Sequence, residues 1–99
     1  MLTGSHGRSA VWERSVADNT IRVRYFAIAA EVAGCTEENI QVSDRATLRE
    51  LACALTARHG PPMAQILSVA AFLRGNELTR DLDREAGTHI DVLPPFAGG

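Results

Sequence analysis

The C-terminal end of the chain carries the residues best suited to do chemistry. The sequence finishes with Pro94, Pro95, Phe96, Ala97, Gly98 and Gly99. Prolines have no amide hydrogen, so strand pairing is expected to stop at Pro94, and their fixed φ keeps the following chain extended. Glycine has no Cβ, so Gly98 and Gly99 can enter a slot too narrow for any other residue. The segment therefore predicts a tail that presents the α-carboxylate of Gly99.

Two cysteines are the other candidate nucleophiles. Cys35 and Cys53 are far apart in the sequence and neither belongs to a CxxC pair. This spacing argues against a zinc ribbon, a redox motif and a disulfide scaffold. Free thiols fit a reducing cytosol, so a cytoplasmic location is expected. A relay through these thiols is the alternative to chemistry at the tail, and Cys53 is expected to be partly exposed.

The histidines and arginines predict neither a metal site nor a phosphate site. His6 and His89 have no partners at metal-ligand spacing. His59 stands at the end of a predicted helix, where it is expected to interact with the last carbonyl groups. Arg22 and Arg24 are expected to form a solvated strand face.

Length and composition limit the chain to one small domain. It has 99 residues, of which 45% are hydrophobic, enough for a single core. The net charge is −2 and no basic block is present, which argues against a nucleic-acid partner. No apolar run approaches the roughly 18–20 residues that span a bilayer, so no membrane role is expected. The chain alone is expected to be catalytically inert, because no pocket, nucleotide-binding loop or ligand cluster is predicted.

Hydrophobic periodicity predicts the elements that must position the tail. Strands are expected at residues 21–27, 38–42, 70–73 and 90–93, with a short segment around Leu78 and a short turn of helix at 63–67. The Ala-rich connection after the first strand is expected to be a loop or one to two helical turns closed by Gly34. Residues 1–20 show neither the strand period nor the helix period of apolar residues and are predicted to form a flexible N-terminal arm. The domain is therefore assigned to residues 21–99.

One main helix is predicted after the second strand. Thr47 and Glu50 have the spacing of a capping box at its start. Gly60 is expected to end the helix, and Pro61 and Pro62 are expected to prevent its continuation. The predicted core consists of Ile21, Val23, Ile40, Val42, Leu48, Leu51, Leu55, Ile90 and Val92. The fold class is therefore α+β, with a single helix across one face of a mixed sheet.

Four segments together resemble a known family. They are the opening strand IRVRYFA at 21–27, the Ala-rich loop ending in Gly34, the helix over 47–58 and the ending VLPPFAGG at 92–99. In these segments the chain resembles the ubiquitin-like β-grasp sulfur carriers, and most closely the small subunits of molybdopterin synthase. It differs from the family in its N-terminal arm and in Ala30, where a family member often carries arginine.

The resemblance implies a β-grasp fold with four to five strands and a set of partners. An ubiquitin-activating-type adenylyltransferase would adenylate Gly99 with ATP, and a sulfur donor protein would convert the adenylate to a thiocarboxylate. The tail would then enter the large catalytic subunit of molybdopterin synthase, where sulfur passes to a cyclic pyranopterin precursor of the molybdenum cofactor. The resemblance implies that this chain binds no cofactor itself, because ATP is used by the activating partner. It also implies an assembly of two small and two large subunits.

An exposed apolar patch is predicted near the exit of the tail. In a β-grasp sheet, Phe26 and Leu93 are expected to point away from the helix. The residues expected to bind partners are Phe26, Leu78, Leu93, Pro94, Pro95, Phe96 and Ala97. The alternative is that the N-terminal arm, with Trp12, covers this patch.

Three other functions remain open from the sequence. One is the sulfur carrier of the thiamine pathway, with a thiazole synthase as acceptor, although the Pro-Pro-Phe ending favours the molybdenum pathway. Another is a protein modifier that is joined to lysines of target proteins. The third is a plain interaction domain in which the Gly-Gly ending has no role.

Overall fold

The computed structural model describes residues 19–95 as one mixed sheet with three helices. The elements in chain order are β1 (Asn19–Tyr25), α1 (Ile28–Ala33), β2 (Glu37–Val42), α2 (Leu48–His59), α3 (Pro61–Leu67), β3 (Ala71–Arg74), β4 (Glu77–Thr79) and β5 (His89–Leu93). The predicted α+β fold with a mixed sheet is confirmed, and the sheet has five strands. No helix within residues 19–95 is long and apolar enough to cross a membrane.

The sheet places the first and last strands side by side at its centre. The strand order is β2-β1-β5-β3-β4, with β1 parallel to β5 and antiparallel to β2. A parallel pair needs a long crossover connection, and this connection contains α2, which packs its apolar stripe onto the sheet. Because β1 and β5 run in the same direction, the C-terminal segment leaves the sheet beside the end of β1.

The start of α2 agrees with the sequence in atomic detail. The Thr47 hydroxyl accepts a hydrogen bond from the Glu50 amide at 3.2 Å, and the Glu50 carboxylate accepts one from the Thr47 amide at 2.9 Å. This is the predicted capping box, and it satisfies two amides that have no partner within the helix. The Ala-rich connection forms α1, which ends as predicted at Gly34 with a left-handed φ of 76°.

The short turn of helix predicted at residues 63–67 is present as α3, which is longer than expected. Pro61 and Pro62 do end α2, but they also form the first turn of α3, two residues earlier than predicted. Proline is tolerated at this position because the first amides of a helix have no acceptor there. Met63 and Leu67 on this helix are buried, so α3 contributes to the core.

All residues predicted for the core are buried, and further ones join them. The additional large members are Tyr25, Met63, Leu67 and Phe72. Leu82 is half-buried and packs against this core. The strand β1 begins at Asn19, two residues before the predicted domain boundary, because Asn19 pairs with Val42.

Candidate functional site

The exit of the C-terminal segment is the first part of the candidate site. The strand β5 ends at Leu93, as the following prolines predict. Pro94 is buried and Pro95 is exposed, so the chain is still packed on the domain for one residue after the strand. Phe96, Ala97, Gly98 and Gly99 lie outside the described residues, and their roles stay predictions.

Beside this exit lies the sheet face opposite to α2, on which none of the helices within residues 19–95 packs; it is called here the outer face. One row of side chains crosses it through neighbouring strands, in the order Glu37, Arg24, Asp91, Leu73 and Leu78. The row is charged on the β2 side and apolar on the β4 side. Leu78 at the edge is 61% exposed and pairs with Leu73 on the neighbouring strand; contiguous exposed apolar side chains of this kind mark surfaces that bind partners.

A second, apolar row lies closer to the exit. Leu93 pairs with Ala71 on β3, and both are half-buried. Tyr25 pairs with Val92 in the parallel strands β1 and β5. The residues that follow them, Phe26 and Leu93, therefore lie side by side. Since Val92 is fully buried, Leu93 faces the opposite side, as the alternation predicts. The outer apolar patch is defined as Phe26, Ala71, Leu73, Leu78 and Leu93.

Arg24 links the charged and apolar parts of the outer face. Its Nε and Nη2 groups donate to the two carboxylate oxygens of Asp91 at 3.0 and 3.2 Å. The central guanidinium carbon lies 5.3 Å from the centre of the Phe26 ring, within the range of a cation–π contact. The hydrogen bonds from Arg24 to Asp91 raise the pKa of the guanidinium above its ordinary value. Arg22 forms a looser pair with Glu37, at 3.5 Å. The solvated face expected for these arginines therefore contains two cross-strand ion pairs.

A polar cluster on the helix side was missed by sequence reasoning. One oxygen of Glu38 lies 2.5 Å from both the Tyr25 hydroxyl, which donates to it, and the His59 Nε2 atom. Arg58 donates to the other Glu38 oxygen at 2.8 Å. The expectation that His59 interacts with the last carbonyls of its helix is therefore corrected, because its ring turns towards the carboxylate on β2. The signal was the polar Glu38 within a strand whose other inward-facing residues are apolar.

The pKa values in this cluster reflect its partial burial. Burial raises the pKa of Glu38, but the hydrogen bonds from Tyr25 and His59 and the charge of Arg58 outweigh it, so the net direction is down. Burial, followed by the hydrogen bond to Glu38, raises the pKa of Tyr25 well above its ordinary range. The carboxylate therefore stays charged and the phenol stays neutral near neutral pH. The cluster joins β1 and β2 to the end of α2.

Both cysteines are free thiols. Cys53 is exposed, as predicted, and Cys35 is half-buried. Burial, together with the nearby Glu38 carboxylate, raises the pKa of the Cys35 thiol, which disfavours the reactive thiolate. Within residues 19–95, no group of three metal-ligating side chains could hold an ion.

The expectation that the chain holds no pocket is wrong, because residues 19–95 form several open surface cavities of about 330–680 Å³. An open, mainly apolar groove of about 440 Å³ lies between α2 and α3. It is lined by Arg49, Ala52, Cys53, Thr56, Ala57, Ala64, Leu67, Ser68 and Leu82. The groove lacks the convergent polar groups that typically orient a substrate.

Comparison with known proteins identifies the family. The ThiS family matches residues 23–99. A molybdopterin synthase sulfur carrier subunit from Chlamydomonas reinhardtii is 33% identical over 82 residues, which cover 80% of this chain and 98% of the relative. The crystal structure of small archaeal modifier protein 1 from Haloferax volcanii is similar with a TM-score of 0.67 and 25% identity, over 82% of this chain and 100% of that chain.

A more distant structure supports the fold alone. It is a putative molybdopterin converting factor, subunit 1, from Pyrococcus furiosus, with a TM-score of 0.64 and 21% identity over 79% of this chain and 99% of that chain. These likenesses confirm the ubiquitin-like β-grasp fold, and the family match extends through the C-terminal Gly-Gly. The chain therefore belongs to the ThiS family.

Proposed function

We propose that this protein is the sulfur carrier subunit of molybdopterin synthase, with Gly99 as the carrier residue. The observation that carries the proposal is the 33% identity to a molybdopterin synthase sulfur carrier subunit along 98% of that relative's length. The sequence carries Gly98 and Gly99 after two prolines and Phe96, and in this proposal the α-carboxylate of Gly99 is the reacting group.

The chemistry explains why such a carrier needs an activating partner. A terminal carboxylate has a pKa of about 3.3–3.7, so Gly99 is ionised at neutral pH and is a poor electrophile. Attack of its oxygen on the α-phosphorus of ATP, with loss of pyrophosphate, would give an acyl-adenylate. Sulfur delivered by the donor protein at the oxidation level of hydrosulfide (HS⁻) would then attack the acyl carbon, with AMP as the leaving group and loss of the sulfur-bound proton, and give a thiocarboxylate. This is covalent catalysis in which the carrier group is the chain terminus.

The outer face supports a role in docking. The apolar patch and the exit of the C-terminal segment lie at the same end of β5, so one partner can cover Leu93 while it receives the tail. Pro94 and Pro95 stiffen the connection between them. In the proposed synthase, the large subunit supplies the binding site for the pyranopterin precursor, and this chain delivers the sulfur on its tail. The adenylyltransferase is proposed to supply the ATP site.

A reconstitution tests the acceptor pathway. The chain is incubated with the activating enzyme, ATP and a sulfur donor, and sulfur transfer is then measured with either the large subunit of molybdopterin synthase or a thiazole synthase. We expect conversion of the pyranopterin precursor with the large subunit only. Transfer to the thiazole synthase alone would assign the chain to the thiamine pathway.

A second candidate function is protein modification, because a small archaeal modifier protein shares the fold at 25% identity. Both functions would begin with adenylation of Gly99, and they differ in the group that attacks next. In a modifier, a lysine amine of a target protein would attack the activated carboxyl and form an amide. The sequence contains no lysine, so this chain could not form polymers through its own side chains. Lysine-linked conjugates that disappear when Gly99 is removed would favour this second function.

A further inference from the structure

The outer face holds two cross-strand ion pairs in different surroundings. Arg22 and Arg24 are almost equally exposed, at 51% and 53% of their side chains. Arg22 has one contact to Glu37 at 3.5 Å, whereas both carboxylate oxygens of Asp91 bind Arg24. The Arg24 guanidinium also lies over the ring of Phe26, which belongs to the outer apolar patch.

The Asp91 carboxylate fixes the orientation of the Arg24 guanidinium. Two parallel hydrogen bonds define the plane of the group as well as its position. The side chain of Asp91 is only 16% exposed, so the anchored side is largely covered by neighbouring strands. A ring packed beneath a fixed cation loses less freedom when a partner binds, and such preorganisation increases affinity.

We propose that Arg24 is the positioning residue of the docking face. Held by Asp91, it fixes the Phe26 ring in the orientation that the partner binds, and it donates its remaining N–H groups to a carboxylate or carbonyl oxygen of that partner. The inference rests on the proposed function, since the partner is the large subunit of molybdopterin synthase. It requires that the partner has a hydrogen-bond acceptor, for Arg24, beside the apolar surface that contacts Phe26.

The positioning role is tested first on the free protein. Fluorine NMR of chains labelled with fluorophenylalanine reports the ring environment, with Phe26→Leu used to assign the Phe26 signal. We expect Arg24→Gln to shift this signal, whereas Arg22→Gln leaves it in place because Arg22 does not lie over the ring. An unchanged signal in Arg24→Gln would overturn the positioning role, whether or not the chain binds its partner.

The docking role is tested by calorimetric binding to the large subunit. Arg24→Gln is expected to bind about fivefold more weakly, the change that a cation–π contact of about 1 kcal/mol represents, and Arg22→Gln to stay within about twofold. In a Phe26→Ala background, Arg24→Gln is expected to weaken binding less than it does in the unaltered chain, because only the hydrogen bonds from Arg24 to the partner are then lost; an undiminished effect would overturn the positioning role. Arg24→Lys keeps the charge but loses the forked contact, so it is expected to recover less than half of the lost affinity.

Each binding result has a distinct meaning. Equal weakening by Arg24→Gln and Arg22→Gln, or full recovery by Arg24→Lys, would reduce the effect to surface charge and overturn the proposal. Failure of the unaltered chain to bind the large subunit would overturn the proposed function and the docking role with it. The NMR signal would still decide whether Arg24 positions the ring, so the two failures are distinguishable.

Discussion

Replacement of Glu38 by glutamine removes the charge at the centre of the Tyr25–Glu38–His59–Arg58 cluster while it keeps the size of the side chain. Glu38 is 13% exposed and accepts hydrogen bonds from groups on β1 and α2. A hydrogen bond to a charged group contributes about 1.5–3 kcal/mol, but a pair with an exposed partner such as Arg58 contributes at most about 1 kcal/mol. We therefore expect Glu38→Gln to lower the free energy of unfolding by about 1–3 kcal/mol. For a domain of this size that is a fall in Tm of roughly 5–20 °C.

The pH dependence of this loss identifies its cause. The folded-state pKa of Glu38 is below its ordinary value, so the carboxylate binds its proton more weakly in the folded chain than in the unfolded one. The stabilisation is fully present above the unfolded pKa of about 4.3 and is lost as the pH falls through the lower folded value. The difference between the unaltered chain and Glu38→Gln should therefore be largest near neutral pH and should shrink below about pH 4.

Urea unfolding followed by circular dichroism from pH 3 to pH 8 measures both effects. Glu37→Gln is the matched control, because Glu37 is the neighbouring residue of β2 but is exposed and pairs loosely with Arg22. It is expected to change stability by less than about 1 kcal/mol. An equal loss in both variants, or a Glu38→Gln deficit that is the same at pH 3 and pH 7, would refute the assignment of the cluster's stability to the Glu38 charge.

Four further outcomes are expected. Leu51→Ala, at a fully buried position, should lower the free energy of unfolding by about 2–5 kcal/mol in urea titrations, and a loss below 1 kcal/mol would mean that Leu51 is not a core residue. Phe26→Ala should cost less stability but weaken binding to the large subunit; unchanged binding would count against the docking face. Extension of the chain by one alanine after Gly99 should abolish sulfur transfer and leave the circular dichroism spectrum unchanged. Sulfur transfer by a variant that still carries the added alanine would exclude the carrier role. Ala27→Gly should raise stability by about 1 kcal/mol, because Ala27 adopts a φ of 55° and ψ of −131° that only glycine adopts at low cost; a lower Tm would contradict this.

The strands and the main helix could be predicted because their signals are local. Alternation from Ile21 along β1 and the capping box at Thr47 depend on residues within one element, and both are present in the structure. Gly75 lies in the turn between β3 and β4 with a φ of 61°, a local conformation that glycine adopts without strain. Short-range preferences therefore account for most of the fold.

The features that could not be predicted depend on contacts between distant segments. Phe72 is fully buried, but the alanines before it hide the alternation of β3. The Glu38–His59 contact joins residues that are 21 positions apart, and neither side chain has a local reason to turn towards the other. The start of α3 at Pro61 was missed because the same proline signal marks the end of one helix and the first turn of the next.

The candidate site was predicted only in part. Alternation placed Leu93 on the face opposite Val92, and the proline pair placed the end of β5 at Leu93. The two hydrogen bonds from Arg24 to Asp91 depend on the parallel pairing of the first and last strands. The hydrophobic periodicity of the sequence does not specify that pairing. The sequence therefore indicated an apolar docking patch, and the structure added the ion pair at its border.

Intact-mass spectrometry after incubation with the activating enzyme, ATP and a sulfur donor tests most directly whether Gly99 carries sulfur. Exchange of one carboxyl oxygen for sulfur adds about 16 Da at a covalent carrier group. We expect this gain on the C-terminal peptide, in the unaltered chain and equally in a Cys35→Ser/Cys53→Ser variant. A gain that maps to either cysteine, or that is lost in the double variant, would contradict sulfur carriage by Gly99.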